Sequence, residues 1–302
     1  MSNGSAMSNS DARTAESRLL PRLLVSSRPL SWINTAYPFG AAYLLGGGAV
    51  DALFVIGCVF FLVPYNLAMY GINDVFDHDS DALNPRKGGS EGALLDPRMH
   101  RRVLWAAVLS CLPFVVALVV LGSPVSWLVL AVSLFAVVAY SAPGLRFKEV
   151  PVLDSVTSST HFVSPAVYGL VVAGAAWDLH ALLALAAFFC WGMASHAFGA
   201  VQDVVPDRAA GIGSIATALG AATTVRVALC LWAAAGALML LFPVPVSLLA
   251  ALALPYLLLA WPYRSVSDAA SARAHQGWRW FLAVNYAAGF VVTIVLIVRA
   301  LA

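Results

Sequence analysis

An acidic segment at residues 70–81 directly follows an apolar run that is long enough to cross a bilayer. At about 100° per residue, its polar side chains fall on one side of a helix: Asn73, Asp74, Asp77 and Asp81. Carboxylates three and four residues apart repel one another, so this face is stable when ionised only against a divalent cation or a polycation. Because oxygen ligands alone favour Mg²⁺, the segment predicts a magnesium site at the end of a helix.

A second acidic cluster stands at the end of another apolar run, at residues 196–207. His196, Asp203 and Asp207 lie within about 40° of one another on a helix. One acidic helix end is compatible with a solvated terminus, whereas two, each followed by Arg and Gly, indicate a shared function. A lone histidine such as His196 is more often a hydrogen-bonded core residue than a ligand.

Basic residues follow both acidic clusters and also a segment between them that begins at Tyr140; they are Arg86, Lys87, Arg146, Lys148 and Arg208. The glycines beside the first pair let backbone N–H groups approach an anion closely. That pair also fits the excess of positive charge that cytoplasmic loops carry, so it decides nothing by itself.

Polar stripes continue into the apolar runs. Asp154, Ser158 and His161 share one helical face at the start of the fifth run, and Asn66 and Tyr70 extend the first acidic face. Such stripes predict the wall of an internal cavity. Ser and Thr also pack membrane helices together through small contacts, and the two interpretations stay open at this point.

The elements that must position these side chains are membrane helices. Hydrophobic residues make up 61% of the 302 positions and charged residues 11%, whereas a soluble domain carries roughly a quarter charged residues. The apolar residues fall in blocks of about 20, the length of a membrane-spanning helix. The pattern predicts an all-α integral membrane protein with nine spans around a central cavity, at residues 29–49, 51–73, 103–121, 124–141, 155–174, 179–201, 222–242, 244–262 and 280–300.

The distribution of basic residues predicts the orientation. With the loops assigned alternately, all of the 17 Lys and Arg except Arg299 fall on one side of the membrane. This bias predicts a cytoplasmic N-terminus in a multi-pass cell-membrane protein, with the acidic clusters on the cytoplasmic side. Residues 1–27 lack an apolar core and are expected to form a disordered cytoplasmic tail, followed by a single transmembrane domain at 28–302.

Two facing carboxylate clusters can hold a pair of Mg²⁺ ions, and those ions can hold a diphosphate. The metals offset the charge of the leaving group as its carbon–oxygen bond breaks, while Arg and Lys complete the binding. An allylic diphosphate then leaves a delocalised carbocation, which an apolar, aromatic-lined cavity protects from water.

The motifs that carry this chemistry resemble those of the UbiA superfamily of intramembrane prenyltransferases. The family pattern Asn-Asp-x-x-Asp-x-x-x-Asp matches Asn73, Asp74, Asp77 and Asp81, and the pattern Asp-x-x-x-Asp matches Asp203 and Asp207. The segment from Tyr140 to Lys148 corresponds to the family's Tyr-Ser-x-Pro segment. The resemblance covers residues 28–300 and implies a nine-helix fold.

The resemblance also implies roles. The six motif residues would bind Mg²⁺ and diphosphate, with Asp77, Asp203 and Tyr140 central to catalysis. The five basic residues would contact the diphosphate, and the cavity for the acceptor would include Asn66, Tyr70, Asp154, Ser158, His161 and His196.

Within the superfamily the motifs look most like those of lycopene elongases. That likeness implies transfer of a dimethylallyl group from dimethylallyl diphosphate to lycopene, with possible hydratase activity. The final carbocation would lose a proton or take up water, and Asp154 and His161 are candidates for this last step.

Two other functions are alternatives at this stage. A superfamily member with an aromatic or quinone-precursor acceptor would need a buried cation for a carboxylate, and the spans contain none, although Arg146 or Lys148 could serve. An ion-coupled transporter would place its acids near the bilayer midplane, whereas these stand at the ends of the spans.

Overall fold

The computed structural model describes residues 19–82 and 94–301, and within these ranges every regular element is a helix. Short 3₁₀ turns connect some of the α-helices. The α-helices, in chain order, are α1 (Ile33–Leu45), α2 (Ala52–Leu62), α3 (Pro64–Phe76), α4 (His78–Ala82), α5 (Pro97–Leu121), α6 (Pro124–Ser141), α7 (Leu153–Val172), α8 (Leu179–Val201), α9 (Val204–Ala209), α10 (Ile215–Leu219), α11 (Ala221–Met239), α12 (Ala253–Ala260) and α13 (Ala274–Leu301).

The chain is an all-helical, multi-pass membrane protein. In the described ranges, seven helical segments are long and apolar enough to span a bilayer: Ala52–Phe76, Pro97–Leu121, Pro124–Ser141, Leu179–Val201, Ala221–Met239, Val246–Tyr263 and Asp268–Arg299. The other two predicted spans also form helices. However, α1 has 13 residues, which is about 20 Å of helix, and α7 carries a polar run in its first turns.

Large apolar side chains cover the outside of the helices. Trp105, Leu109, Leu128, Phe135 and Leu258 are all more than half exposed. Such a surface would promote aggregation in water, whereas it matches the hydrocarbon of a bilayer.

Two hydrophobic cores lie side by side. The first contains side chains from α1, α2, α3, α5, α6 and α7. At its centre are Phe39, Phe61 and Tyr168, whose rings contact one another. The second joins α8 to α11, α12 and α13 around Trp232 and Phe198. Helices α7 and α8 pack against each other and link the two cores.

The second predicted span is interrupted at Pro64, which has no N–H and so ends α2 at Leu62. The buried Asn66 amide donates hydrogen bonds of 2.9 and 3.0 Å to the carbonyls of Phe61 and Leu62. Thr35 donates a further bond of 2.6 Å to the Phe61 carbonyl. Asn66 therefore supplies hydrogen bonds to carbonyls that lack backbone partners at the helix break. It is not part of the cavity wall, so the expectation that it lines the cavity is wrong.

The structure also differs from the prediction at the N-terminal tail. Residues 19–26, which were expected to be disordered, are helical. The segment ends at Arg28, which has a left-handed φ of 52°, and Pro29–Ser31 then form a 3₁₀ turn that leads into α1. This path of the chain places residues 26–28 beside the acidic end of α3.

Candidate active site

A large cavity of about 2450 Å³ opens between the two cores. This volume is more than twice that of an ordinary ligand pocket, and its wall is mainly apolar. Helix α8 and the two residues after it line the cavity from Ala181 to Asp203, a length of about 33 Å at 1.5 Å per residue. The shape suits an elongated apolar molecule.

The first acidic cluster lies in the wall of this cavity. Helix α3 ends at Phe76, but hydrogen bonds from Asp77 N to Asn73 O (2.9 Å) and from Asp81 N to Asp77 O (2.8 Å) carry the helical register into α4. The side chains of Asn73, Asp77 and Asp81 therefore stay on one face, and all three line the cavity. Asp79 lies on the other side of the segment and is exposed.

The second acidic cluster lines the same cavity. Helix α8 ends at Val201, and Asp203 stands immediately before α9, with Asp207 one turn later. The backbone N–H of Asp207 donates to Asp203 O at 2.9 Å, so the two side chains share a face that lines the cavity. The two acidic clusters thus open into one space, although they are about 120 residues apart in sequence.

Lys148 joins the cavity wall from the short helical turn Phe147–Glu149, between α6 and α7. Its ammonium contacts the Asp77 carboxylate and lies 3.5 Å from Asn73 Oδ1. Burial lowers the pKa of this ammonium to about 8, and nearby carboxylates, Glu149 foremost, partly offset the effect. Lys148 is therefore a cation held directly against the acidic face.

Arg146 supports this arrangement from outside the cavity wall. Its guanidinium pairs with Glu149, donates to the Phe76 carbonyl at 3.4 Å and lies 3.7 Å from Asp77. Arg146 and Lys148, the residues expected to contact the diphosphate, thus both lie beside the first acidic cluster, and of the two only Lys148 is part of the cavity wall.

Asp74 differs from the other residues of the first motif. Its fully buried carboxylate accepts hydrogen bonds from Arg28 (2.7 Å) and Ser26 (2.8 Å), and it is not part of the cavity wall. The Arg28 guanidinium also lies over the ring of Tyr70, 5.1 Å from its centroid, and both of these side chains line the cavity. Asp74 therefore positions a cation at the cavity, which is a different place from the one its motif predicts.

Sequence reasoning missed Arg28 as a site residue. The only signal was its position at the start of the first span, where it counted toward the charge bias. Its partner Asp74 is 46 residues away, and no local pattern links the two.

Arg208 also departs from the prediction. Adjacent residues on a helix point about 100° apart, so the side chain of Asp207 faces the cavity while that of Arg208 faces away. Arg208 pairs with Asp268 at 2.5 Å and donates to the Thr217 carbonyl at 2.8 Å. Its expected contact with diphosphate is therefore wrong in this structure. Two further predicted contacts, Arg86 and Lys87, lie outside the described residues.

The polar stripe of α7 is only indirectly connected to the cavity. Asp154 and His161 are buried inside the protein, and Ser158 likewise lies outside the cavity wall. Their predicted place in the wall is wrong: Asp154 accepts a hydrogen bond from Ile215 N and lies beside His196 of α8, while His161 lies against Tyr140 of α6. Tyr140 and His196 do line the cavity, with their ring centroids 6.3 Å apart.

The match to a family model decides the identity of the fold. Residues 35–298 match the model of the UbiA prenyltransferase family. The chain belongs to this family.

Its relatives agree with this UbiA assignment. A protein of Corynebacterium glutamicum named "Lycopene elongase/hydratase" is 50% identical over 275 residues, covering 91% of this chain and 96% of that protein. A Dietzia protein named "C(50) beta-cyclic carotenoids biosynthesis protein LbtBC" is 54% identical over 276 residues, which are 91% of this chain and 64% of that protein. The family resemblance drawn from the sequence motifs is thus confirmed, and the chain is a prenyltransferase.

The UbiA fold is also visible at the level of structure. A UbiA homologue from Archaeoglobus fulgidus, solved bound to DMAPP and Mg²⁺, superposes with a TM-score of 0.64. It is 21% identical, and the match covers 89% of this chain and 99% of the homologue. At this identity the likeness concerns the fold alone.

The donor set that UbiA motifs assign to Mg²⁺ fits this ion. Five of the six motif side chains line the cavity, each with an oxygen donor: Asn73, Asp77, Asp81, Asp203 and Asp207. Within residues 19–82 and 94–301, no three carboxylate, imidazole or thiolate groups are gathered tightly enough to hold a metal ion by themselves. Mg²⁺ at phosphate sites usually binds one or two carboxylates together with waters and substrate phosphates, so an open arrangement suits it.

Aromatic side chains form the other part of the UbiA cavity. Trp191, Tyr256 and Trp278 line it, and all three rings pack around Phe281, with centroid distances of 4.7 to 6.1 Å. Sequence alone does not distinguish an inward indole such as that of Trp278 from one at the membrane interface. These π faces can stabilise a carbocation.

The cavity also reaches the outer surface of the bundle between α1 and α13. Ile33 and Phe290 line it and are themselves exposed, at 46% and 69%. Two hydrogen bonds connect the same edges: Tyr286 donates to Leu30 O at 2.6 Å, and Thr293 donates to the Tyr37 hydroxyl at 2.9 Å. Exposed apolar side chains therefore border the cavity along this edge, and two hydrogen bonds cross it.

Proposed function

We propose that this UbiA-family enzyme transfers the dimethylallyl group of dimethylallyl diphosphate to lycopene, with Mg²⁺ as its cofactor. The observation that carries the proposal is the single cavity: two acidic clusters and Lys148 occupy part of its wall, aromatic rings occupy another part, and apolar residues open it toward lipid. The relative that is 50% identical, named "Lycopene elongase/hydratase", supports lycopene as the acceptor. Membership of a prenyltransferase family leaves no support for the transporter alternative.

The residues that would hold Mg²⁺ are Asn73, Asp77, Asp81, Asp203 and Asp207. When bound there, the ion offsets the negative charge that collects on the departing diphosphate. Asp74 lies behind this set and holds Arg28 toward the cavity.

The chain's own cations complete the binding of the diphosphate. Lys148 and Arg28 both line the cavity beside the first acidic cluster, so each can donate to a phosphate oxygen. Cleavage of the bond between the allylic carbon and oxygen leaves the electron pair on the diphosphate. The predicted contacts from Arg86 and Lys87 remain part of the proposal.

The apolar wall governs what the dimethylallyl cation meets. Trp191, Tyr256 and Trp278 exclude water and present π faces to the positive charge. A terminal double bond of lycopene supplies its π electrons to form the new carbon–carbon bond. The tertiary cation that results then loses a proton or takes up water.

We further propose nine membrane spans, a cytoplasmic N-terminus and an active site on the cytoplasmic side. The support is the charge distribution: with nine spans, every Lys and Arg except Arg299 falls on one side of the membrane. Both acidic clusters lie at helix ends on that side. Their position gives a water-soluble diphosphate access from the cytoplasm.

Expression in a lycopene-accumulating bacterium, followed by pigment analysis, tests this function. We expect carotenoids that carry one and two added five-carbon units. Asp203→Asn should leave lycopene unchanged, while the exposed Asp79→Asn on the far side of the first acidic segment should behave as wild type. Unaltered lycopene with the wild-type chain, together with prenylation of an added aromatic acid, would replace lycopene by the aromatic acceptor.

A further inference from the structure

A buried carboxylate lies behind the cavity wall at the start of α7. Asp154 is fully buried, and its two oxygens accept hydrogen bonds from the backbone N–H groups of Ser155 (2.6 Å) and Ile215 (2.7 Å). The Ser155 hydroxyl adds a bond of 3.2 Å. Burying a carboxylate in this way costs free energy unless hydrogen bonds and a positively charged partner compensate for the lost water.

The side chain that connects Asp154 to the cavity is His196. Its Nε2 lies 3.6 Å from Asp154 Oδ2, slightly beyond hydrogen-bond length, and its ring lines the cavity beside Tyr140. A carboxylate next to Nε2 favours a proton on that nitrogen, which leaves the lone pair on Nδ1. The same logic orients the imidazole in catalytic histidine–aspartate pairs.

We infer that His196, positioned by Asp154, is the base that resolves the final carbocation of the proposed prenyl transfer. This inference rests on the proposed function. After the carbon–carbon bond has formed, the positive charge sits on the tertiary carbon of the acceptor. Nδ1 of His196 takes a proton from a neighbouring carbon, and the C–H electron pair becomes the new double bond.

The same residue accounts for hydration. A water molecule that attacks the tertiary cation forms a carbon–oxygen bond and must lose a proton, which Nδ1 accepts. In both branches the imidazole becomes an imidazolium whose charge the Asp154 carboxylate stabilises. The proton later passes to water or to the released diphosphate.

Asp154 and His161 were the sequence-based candidates for this step; in the present proposal Asp154 is the positioning residue and His196 replaces His161 as the base. His161 is buried outside the cavity wall, and in the described part of the chain its Nε2 has no hydrogen-bond partner. Its ring centroid lies 5.2 Å from that of Tyr140, which does line the cavity. His161 is therefore a matched control: a histidine near the same tyrosine, without access to the cavity.

The experiment compares product formation with cleavage of the donor, in purified enzyme with lycopene and Mg²⁺. Cleavage is counted as diphosphate released plus migration of an oxygen-18 label from the bridging to a non-bridging position of dimethylallyl diphosphate. Migration reports each carbon–oxygen cleavage that recombines. For His196→Gln we expect elongated product per cleavage event to fall at least about tenfold, within the range general-base catalysis contributes.

Asp154→Asn should lower the same ratio in the same direction, because it removes the charge that orients the imidazole. His161→Gln should leave the ratio within about twofold of wild type. A purely structural role for His196 or Asp154 would lower product and cleavage together, and this outcome overturns the inference. So does an unchanged ratio, which would assign the proton to the diphosphate.

The wild-type reaction separates this inference from the proposed function. If wild-type enzyme forms no elongated lycopene, the proposed function has failed. If it forms elongated lycopene while both folded variants keep the wild-type ratio, only the role of His196 has failed. Far-UV circular dichroism and elution volume in detergent establish that each variant is folded.

Discussion

The buried pair of Arg28 and Asp74 offers a sharp energetic prediction. Their side chains are 11% and 0% exposed and lie 2.7 Å apart, and the Ser26 hydroxyl also donates to the same carboxylate. Arg28→Met keeps most of the apolar stem but removes the positive charge that pairs with the buried Asp74 carboxylate. Removing one partner of a buried ion pair typically costs about 3–5 kcal/mol.

The reverse change should cost less. Asp74→Asn keeps an oxygen that Ser26 and Arg28 can donate to, and Arg28 at the cavity wall can turn toward water there. We expect a cost of about 1–3 kcal/mol. In the double variant the methionine no longer faces a charge. The loss of unfolding free energy in the double variant should therefore be smaller than the sum of the two single losses by about 2 kcal/mol or more.

The assay is reversible unfolding in mixed micelles with increasing dodecyl sulfate, followed by tryptophan fluorescence for all four proteins of the cycle. Arg101→Met, at an exposed position on α5, is the control and should change the free energy of unfolding by less than about 0.5 kcal/mol. Additivity of the two single variants within about 0.5 kcal/mol would refute the reasoning, because it would mean that the pair is not coupled.

Two further predictions use matched pairs of residues. Lys148→Gln should lower prenyl transfer by at least about tenfold, because a charge-assisted hydrogen bond to phosphate is lost. Arg208→Gln, outside the cavity wall, should change steady-state turnover by less than about threefold. Equal losses in the two variants would contradict the proposed contact between Lys148 and the diphosphate. Gly213→Ala should cost about 1–3 kcal/mol of unfolding free energy, because an added Cβ would lie 2.2 Å from the Glu149 carbonyl oxygen, while Gly289→Ala meets nothing within 4 Å. Equal thermal stability of these two glycine variants would show that the loop before α10 is not held as closely as the structure has it.

The acidic faces could be predicted from sequence because their geometry is local. Helical periodicity alone places Asn73, Asp77 and Asp81 together, and the hydrogen bonds between α3 and α4 preserve that register. The motif spacing at Asp203 and Asp207 succeeded for the same reason. Hydropathy likewise located each apolar helix, since every predicted span coincides with helical structure.

Contacts between distant segments were beyond such reasoning. Asp74 pairs with Arg28, 46 positions away, and Asp154 accepts a hydrogen bond from Ile215 N, 61 positions away. No sequence periodicity predicts either contact. Asn66 shares the stripe of the acidic face, yet its amide donates to the Phe61 and Leu62 carbonyls at the helix break before Pro64. A polar side chain in an apolar run thus has two possible purposes, and only the fold distinguishes them.

If the two acidic clusters bind one diphosphate inside one cavity, both must contribute to its affinity. Isothermal titration calorimetry can measure this as Mg²⁺-dependent binding of dimethylallyl thiodiphosphate, a slowly cleaved analogue, to the purified protein. Asp77→Asn and Asp203→Asn should each weaken binding at least about tenfold, while Asp79→Asn should leave it unchanged. If either cavity variant binds the analogue as tightly as wild type, the two clusters do not share the ligand and the account is contradicted.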